Sequence, residues 1–276
     1  LAEAPLGMEV WLTLGAAVFL SAAVPVYSFF VLRSRLGVAN AAAVAATYGS
    51  ISAVTFVTCA SYLDTAGIAW SGHLVAAMAL MESPAIIIGI LLYRMAERAD
   101  GPIRWGELLH ESCLNGSVFL IVGSLLIGWV TGTRGMAQIS PFVSDLFVGV
   151  LCLFLLDMGI VAARRLKDLG RSGDSAPGSG SMIGWMIGFS LVFPIANGAL
   201  ALAAGVALGL SEGDLVLLTV LGASASYIAV PAAMRLALPE ANPSTYLPMS
   251  LAITFPFNLL IGIPVYHHAA QWLLAG

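Results

Sequence analysis

Small polar residues and prolines recur in the same order near both ends of this 276-residue chain. Each copy has an S-x-x-x-P pair, then an S-x-S pair, then a proline inside an apolar run. The first copy contains Ser21, Pro25, Ser50, Ser52 and Pro84, and the second contains Ser190, Pro194, Ser224, Ser226 and Pro256. Repeats of this kind are typical of secondary transporters, whose binding site lies near the middle of the membrane.

The S-x-S pairs have the chemistry to bind a small anion. Hydroxyls donate hydrogen bonds to oxyanions, and backbone amides at the start of a helix attract negative charge. The residues expected to bind the substrate are Ser50, Ser52, Thr55, Ser224, Ser226 and Tyr227. The alternative is that these hydroxyls only pack helices together, but their recurrence in both copies favours binding.

The proline motifs indicate a cation site. Pro84 and Pro256 lie in the middle of apolar runs, and each is predicted to break its helix and free backbone carbonyls. Carbonyls, hydroxyls and carboxylates are hard oxygen ligands, a set that suits Na⁺. The residues expected to bind or gate the cation are Glu82, Ser83, Thr254 and Asn258.

Glu82 is the first candidate among them, because an ionised side chain in the middle of a membrane span costs roughly 3 kcal/mol. Neutralisation by bound Na⁺ would couple the cation to the transport cycle. The alternative is a protonated, structural glutamate bonded to a neighbouring helix.

We expect no transition metal and no organic cofactor, because the histidines and cysteines do not have the spacing of metal ligands.

The composition places the chain in a lipid bilayer. Hydrophobic residues make up 59% of it and charged residues 9%, whereas soluble domains carry roughly 25% charged residues. We predict an all-α integral membrane protein with eight transmembrane helices and no nucleic-acid partner. The predicted spans lie near 10–32, 38–63, 73–93, 110–130, 142–163, 183–209, 214–236 and 246–268.

Arginines and lysines concentrate in alternate loops, which sets the orientation. Arg33 and Arg35 follow the first span, Arg94 follows the third, and Arg235 ends the seventh. Both ends of the chain are therefore predicted on the non-cytoplasmic side of a bacterial plasma (inner) membrane. The polar stretch 164–182 is predicted to be a flexible cytoplasmic linker.

The two copies of the motif are predicted to cross the membrane in opposite directions, because five spans, an odd number, separate their starts. Residues 1–105 would be the remainder of a first inverted repeat with three spans, and residues 106–276 a second repeat with five. The expected parent has about ten spans in an inverted five-plus-five arrangement with Pro-interrupted helices. This chain, which begins at Leu1 rather than Met, is expected to lack the first two.

Several stretches together resemble the sodium-dependent bicarbonate transporter family of the SbtA type, known from cyanobacteria. They are Y-G-S-I-S-A-V-T-F at 48–56, M-E-S-P-A at 81–85, S-A-S-Y-I-A-V-P-A-A-M-R-L at 224–236, A-N-P-S at 241–244, and T-F-P followed by G-I-P at 262–264. The resemblance implies a ten-span protein in which a core domain moves against a scaffold domain. It also implies a homotrimer and a PII-like regulator on the cytoplasmic face. Glu82 lies where those proteins have Asp, and Tyr227 lies where they have an acid.

The sequence thus predicts a Na⁺-coupled symporter of a small anion, with bicarbonate as the first candidate, working by elevator-type alternating access. One alternative is a Na⁺-coupled or proton-coupled carrier of another small carboxylate. An integral-membrane enzyme would need a nucleophile–base pair or a metal cluster, and neither is evident from the spacing. A channel is the third alternative, although an inverted repeat favours alternating access.

Overall fold

A computed structural model describes residues 7–97, 106, 116–140, 143, 146–173 and 179–275, and all regular structure within these ranges is helical. The helices are α1 (Met8–Leu36), α2 (Val38–Gly49), α3 (Ala53–Thr65), α4 (His73–Glu97), α5 (Gly116–Ser140), α6 (Phe147–Gly173), α7 (Ser179–Ala207), α8 (Glu212–Ala223), α9 (Ala229–Ala237) and α10 (Pro243–Ala275). Helix α10 contains two π-helical stretches, Pro248–Thr254 and Asn258–Gly262. The predicted all-α class is confirmed for the described residues.

Six segments in the described ranges are long and apolar enough to cross a membrane, so the protein is a multi-pass membrane protein. They are Met8–Leu36, Val38–Thr65, His73–Glu97, Phe147–Lys167, Gly180–Ala207 and Pro243–Ala275. The predicted span 110–130 lies partly outside the described residues. The predicted span 214–236 is divided into α8 and α9, each too short to cross alone. The count of eight stays a prediction.

The helix interruptions lie at the S-x-S motifs and not at Pro84. Extended backbone at Ser50 and Ser52 separates α2 from α3, and the chain is again non-helical between Ser224 and Ile228. Helix α4, by contrast, continues through Pro84, so the break predicted there is wrong. Membrane helices tolerate a proline where a neighbour supplies hydrogen bonds, and the Ser21 hydroxyl donates one to the Met81 carbonyl beside it.

Helix α10 also continues past Pro256, but its turns there are distorted. Pro256 lies in a three-residue α-helical segment, Phe255–Phe257, between the two π-helical stretches. Single π-helical turns occur often at functional sites. The predicted break at this position is therefore replaced by a widened but unbroken helix.

The two interrupted helices run in opposite directions. Helix α2, the first half of one, packs against α9, the second half of the other, and α3 packs against α8. Hydrogen bonds also join the ends of these helices that lie away from the interruptions. Beyond the end of α9 the Asn242 amide donates to Asn40 Oδ1 in α2 at 2.7 Å, and beyond the end of α3 the Ser71 amide donates to Asp214 Oδ1 in α8 at 2.6 Å. The two interruptions consequently lie side by side at the crossing point.

Two apolar clusters flank this crossing point. One combines α2 and α9 with the second half of α1, including Phe29 and Leu32. The other combines α3 and α8 with the first half of α1, including Ala17 and Leu20. The interruptions therefore lie between two buried apolar cores, near the middle of the bundle.

Helices α5 and α6 lie at the periphery. Only 6% of the apolar window in Phe147–Lys167 is buried, and many large apolar side chains on α5 are exposed. Helix α6 stays helical as far as Gly173, and α7 begins at Ser179. The linker predicted at 164–182 is thus helical over most of its length, while residues 174–178 lie outside the described ranges. These peripheral helices offer an apolar surface to lipid or to other chains.

Candidate functional site

A cavity of about 50 Å³ lies where the two interruptions meet. A single buried water needs roughly 10–15 Å³ by the same kind of measure, so the cavity can hold a small ion and its ligands. The walls come from both interruptions and from one residue of α4. The lining residues are Ile51, Ser52, Ala53, Val54, Glu82, Ser226, Tyr227, Ile228 and Ala229.

Backbone and hydroxyl groups join the two interruptions directly. The Ser52 amide donates to Ser224 Oγ at 3.0 Å, and the Ser226 amide donates to the Thr47 carbonyl at 2.9 Å. The Ser224 hydroxyl in turn donates to the Leu221 carbonyl at 2.9 Å. The structure therefore brings together the two serine pairs that the repeat singled out, although they are 172 residues apart in sequence at the closest bond.

Two helix N-termini open into the cavity. Ser52 caps α3, because its Oγ accepts hydrogen bonds from the amide and the hydroxyl of Thr55. Ser226 Oγ accepts from the Val230 amide in the first turn of α9. A helix N-terminus carries a partial positive charge and unsatisfied amides, and here two of them approach one cavity from opposite halves of the chain. This arrangement favours a bound anion.

Glu82 supplies the negative charge of the cavity. Its side chain is 4% exposed, and within the described residues no hydrogen bond reaches its carboxylate. The Ser50 hydroxyl contacts the same residue through its backbone carbonyl, at 3.4 Å. An unpartnered carboxylate enclosed between two apolar cores needs a cation or a proton.

Tyr227 closes one side of the cavity. Its ring packs against Phe255 with 5.1 Å between centroids, together with Leu251 and Ala162. Its hydroxyl is buried and faces Ser52 without a hydrogen bond of standard geometry. A buried donor of this kind is available to a ligand.

The other residues predicted to bind the cation lie outside the cavity lining. The Thr254 hydroxyl donates to the Ser190 carbonyl at 2.8 Å and lies 2.7 Å from the Tyr48 hydroxyl. Asn258 Nδ2 donates to the Ala223 carbonyl at 2.8 Å and so satisfies the interrupted end of α8. Ser83 is half-buried on α4, and only Glu82 of the four faces the cavity.

The sequence interpretation missed Thr47 and Tyr48, which directly precede the first S-x-S motif. Thr47 offers its carbonyl to the opposite interruption, and Tyr48 offers its hydroxyl to Thr254 and to the Met249 carbonyl. A buried tyrosine in an alanine-rich helix was the available signal, because its hydroxyl must find a partner. The apolar residues Ile51, Val54 and Ile228 also line the cavity, and no sequence motif marks them.

No curated protein matches the chain. The profile of the Na⁺-dependent bicarbonate transporter superfamily, however, matches residues 1–271. Because that match covers nearly the whole sequence, the chain belongs to the Na⁺-dependent bicarbonate transporter superfamily.

Proposed function

We propose that the protein is a Na⁺-coupled symporter that carries bicarbonate by elevator-type alternating access. The observation that carries the proposal is the cavity between the two interruptions, which is lined by residues of two helix N-termini and by the buried Glu82. Such a cavity has a place for an anion and a place for a cation, and the family is one of transporters. The enzyme alternative has no comparable support.

The anion would lie against the first turns of α3 and α9. The residues that begin these helices line the cavity together with Ser52, Ser226 and Tyr227, so their amides and hydroxyls would donate to the anion. Bicarbonate is a small, planar oxyanion that can accept several hydrogen bonds at once. Thr55 and Ser224 would not contact the anion directly. They hold Ser52 in position through hydrogen bonds to its hydroxyl and to its amide.

The cation would neutralise Glu82. A carboxylate and an anion about 4 Å apart repel by about 4 kcal/mol at an effective dielectric constant of 20. Na⁺ between them turns this repulsion into attraction, so the anion binds well only after the cation. Coupling then follows from electrostatics within one cavity, without a separate conformational relay.

The inverted repeat is supported by two further contacts. In the first half of the chain Ser21 of α1 donates to the Met81 carbonyl of α4, and in the second half Thr254 of α10 donates to the Ser190 carbonyl of α7. Equivalent helix pairs are thus joined near equivalent residues. Together with the antiparallel interrupted helices, these contacts favour two copies of one unit in opposite orientations.

The orientation and assembly belong to the same proposal. Arg33, Arg94 and Arg235 end helices on the side of the α2–α9 cluster, whereas Asp64 and Glu212 lie at the ends of α3 and α8. The positive side would face the cytoplasm of a bacterium, with both ends of the chain on the other side. A homotrimer with a PII-like regulator is the assembly that the family resemblance favours.

The test is uptake of ¹⁴C-bicarbonate into proteoliposomes in Na⁺ medium and in choline medium. We expect uptake only with Na⁺, and competition from unlabelled bicarbonate but not from acetate or formate. Equal uptake in both media would refute Na⁺ coupling. Competition by acetate or formate alone would replace bicarbonate with another small carboxylate as the substrate.

A further inference from the structure

The two halves of the chain offer equivalent positions for a cation. Glu82 precedes Pro84 by two residues, and Thr254 precedes Pro256 by two residues. Both lie on helices that pass the crossing point of the interrupted helices, and both side chains are buried. A symmetric transporter would use both positions, so the difference between them decides how many cations can bind.

The hydroxyl of Thr254 already forms hydrogen bonds with other residues of the protein. Thr254 is 1% exposed, its hydroxyl proton goes to the Ser190 carbonyl, and its oxygen meets the Tyr48 hydroxyl. The Tyr48 ring is held edge-on against Phe189 and Phe193. A cation could reach the Thr254 oxygen only if Tyr48 moved and two buried hydrogen bonds were lost.

The Glu82 position has the opposite character. Glu82 lines the cavity, is buried, and its carboxylate has no hydrogen bond from any residue that the structure describes. Among the described lining residues Glu82 is also the only one that carries a charge, since Tyr227, on the second half of the chain, is neutral. One monovalent cation therefore balances the protein charge of the cavity.

We propose that the protein binds a single Na⁺, held by the first half of the chain alone, and moves it with one bicarbonate in an electroneutral cycle. The inference rests on the proposed function and specifies its stoichiometry. The loaded carrier, with one cation and one monovalent anion added, has the same charge as the empty carrier. Both halves of the cycle then move equal charge, and the membrane potential does no net work.

The experiment measures ²²Na⁺ and ¹⁴C-bicarbonate uptake in parallel in proteoliposomes with K⁺ diffusion potentials set by valinomycin. We expect equal fluxes of the two ions, a Na⁺ Hill coefficient of about one, and a steady-state accumulation of bicarbonate that does not change with potential. Two Na⁺ per bicarbonate, with greater accumulation at inside-negative potential, would overturn the inference and leave the symport function intact. Absence of Na⁺-stimulated bicarbonate uptake would overturn the proposed function, and the stoichiometry with it.

Two variants test the asymmetry directly. Thr254→Val keeps the side-chain shape and removes the hydroxyl, so it should lower the thermal stability while the half-saturating Na⁺ concentration stays within twofold. Glu82→Gln should abolish ²²Na⁺ uptake. A tenfold or larger rise in the Na⁺ requirement of Thr254→Val would make Thr254 a cation ligand and overturn the single-site assignment.

Discussion

Replacement of Glu82 by glutamine tests the electrostatic coupling most directly. Glutamine keeps the size of the side chain but removes its charge, so the cavity loses the repulsion that keeps an anion out. If the anion lies about 4 Å from the carboxylate in this cavity of about 50 Å³, the repulsion is about 4 kcal/mol at an effective dielectric constant of 20. At 1.4 kcal/mol per factor of ten, Na⁺ should strengthen anion binding by about two to three orders of magnitude in the wild type and by almost nothing in Glu82→Gln.

The assay is calorimetric titration of the purified protein with bicarbonate, in Na⁺ and in choline. The wild type should bind bicarbonate tightly only with Na⁺, and Glu82→Gln should bind it with one affinity in both media. Glu9→Gln is the matched control, because Glu9 is an exposed acid at the start of α1, far in sequence from the cavity. A Glu82→Gln protein that retains the full Na⁺ dependence would refute the coupling mechanism.

Two further predictions concern stability, measured as thermal unfolding in detergent. Gly49→Ala should destabilise the protein by about 1–3 kcal/mol, because a Cβ at this position would overlap the ring of Pro25. Gly15→Ala is the control, since nothing lies within 4 Å of the added Cβ, and its unfolding midpoint should not change. Asn258→Leu should cost about 1–3 kcal/mol, since it leaves the buried Ala223 carbonyl without its side-chain donor; an unchanged midpoint would mean that the carbonyl finds another partner.

The meeting of the two serine pairs could be predicted from the sequence because the signal is strong. Hydroxyls such as Ser52 and Ser226 are costly inside an apolar run unless they have partners, and their recurrence at one spacing predicts a shared location. Glu82 was predictable for the same reason, since an acid in a membrane span needs a function or a partner. The structure places Ser52, Ser226 and Glu82 around one cavity.

The positions of the helix breaks could not be predicted from proline alone. Whether a proline breaks a membrane helix depends on hydrogen bonds from other helices. Here the donor Ser21 and the acceptor Met81 are 60 residues apart in the sequence, so the sequence near Pro84 does not reveal the bond. The break occurs instead at the S-x-S motifs, where Ser52 caps α3 and the Ser226 hydroxyl accepts from the Val230 amide in the first turn of α9. Thr254 could not be assigned from sequence for the same reason. It occupies the position equivalent to Glu82, but the sequence does not show that its hydroxyl is hydrogen-bonded to Tyr48.

The way in which the cavity is built restricts how its selectivity can change. Amides at the beginnings of α3 and α9 are present whatever side chains those residues carry, so mutation of the apolar lining cannot remove the attraction for negative charge. Among the described lining residues, Glu82, Tyr227, Ser52 and Ser226 are the ones with polar side chains, through which discrimination among anions can evolve. Relatives that carry different substrates should therefore share the same main-chain geometry here and differ at a few side chains, which makes these positions the natural targets for engineering a carrier of another oxyanion.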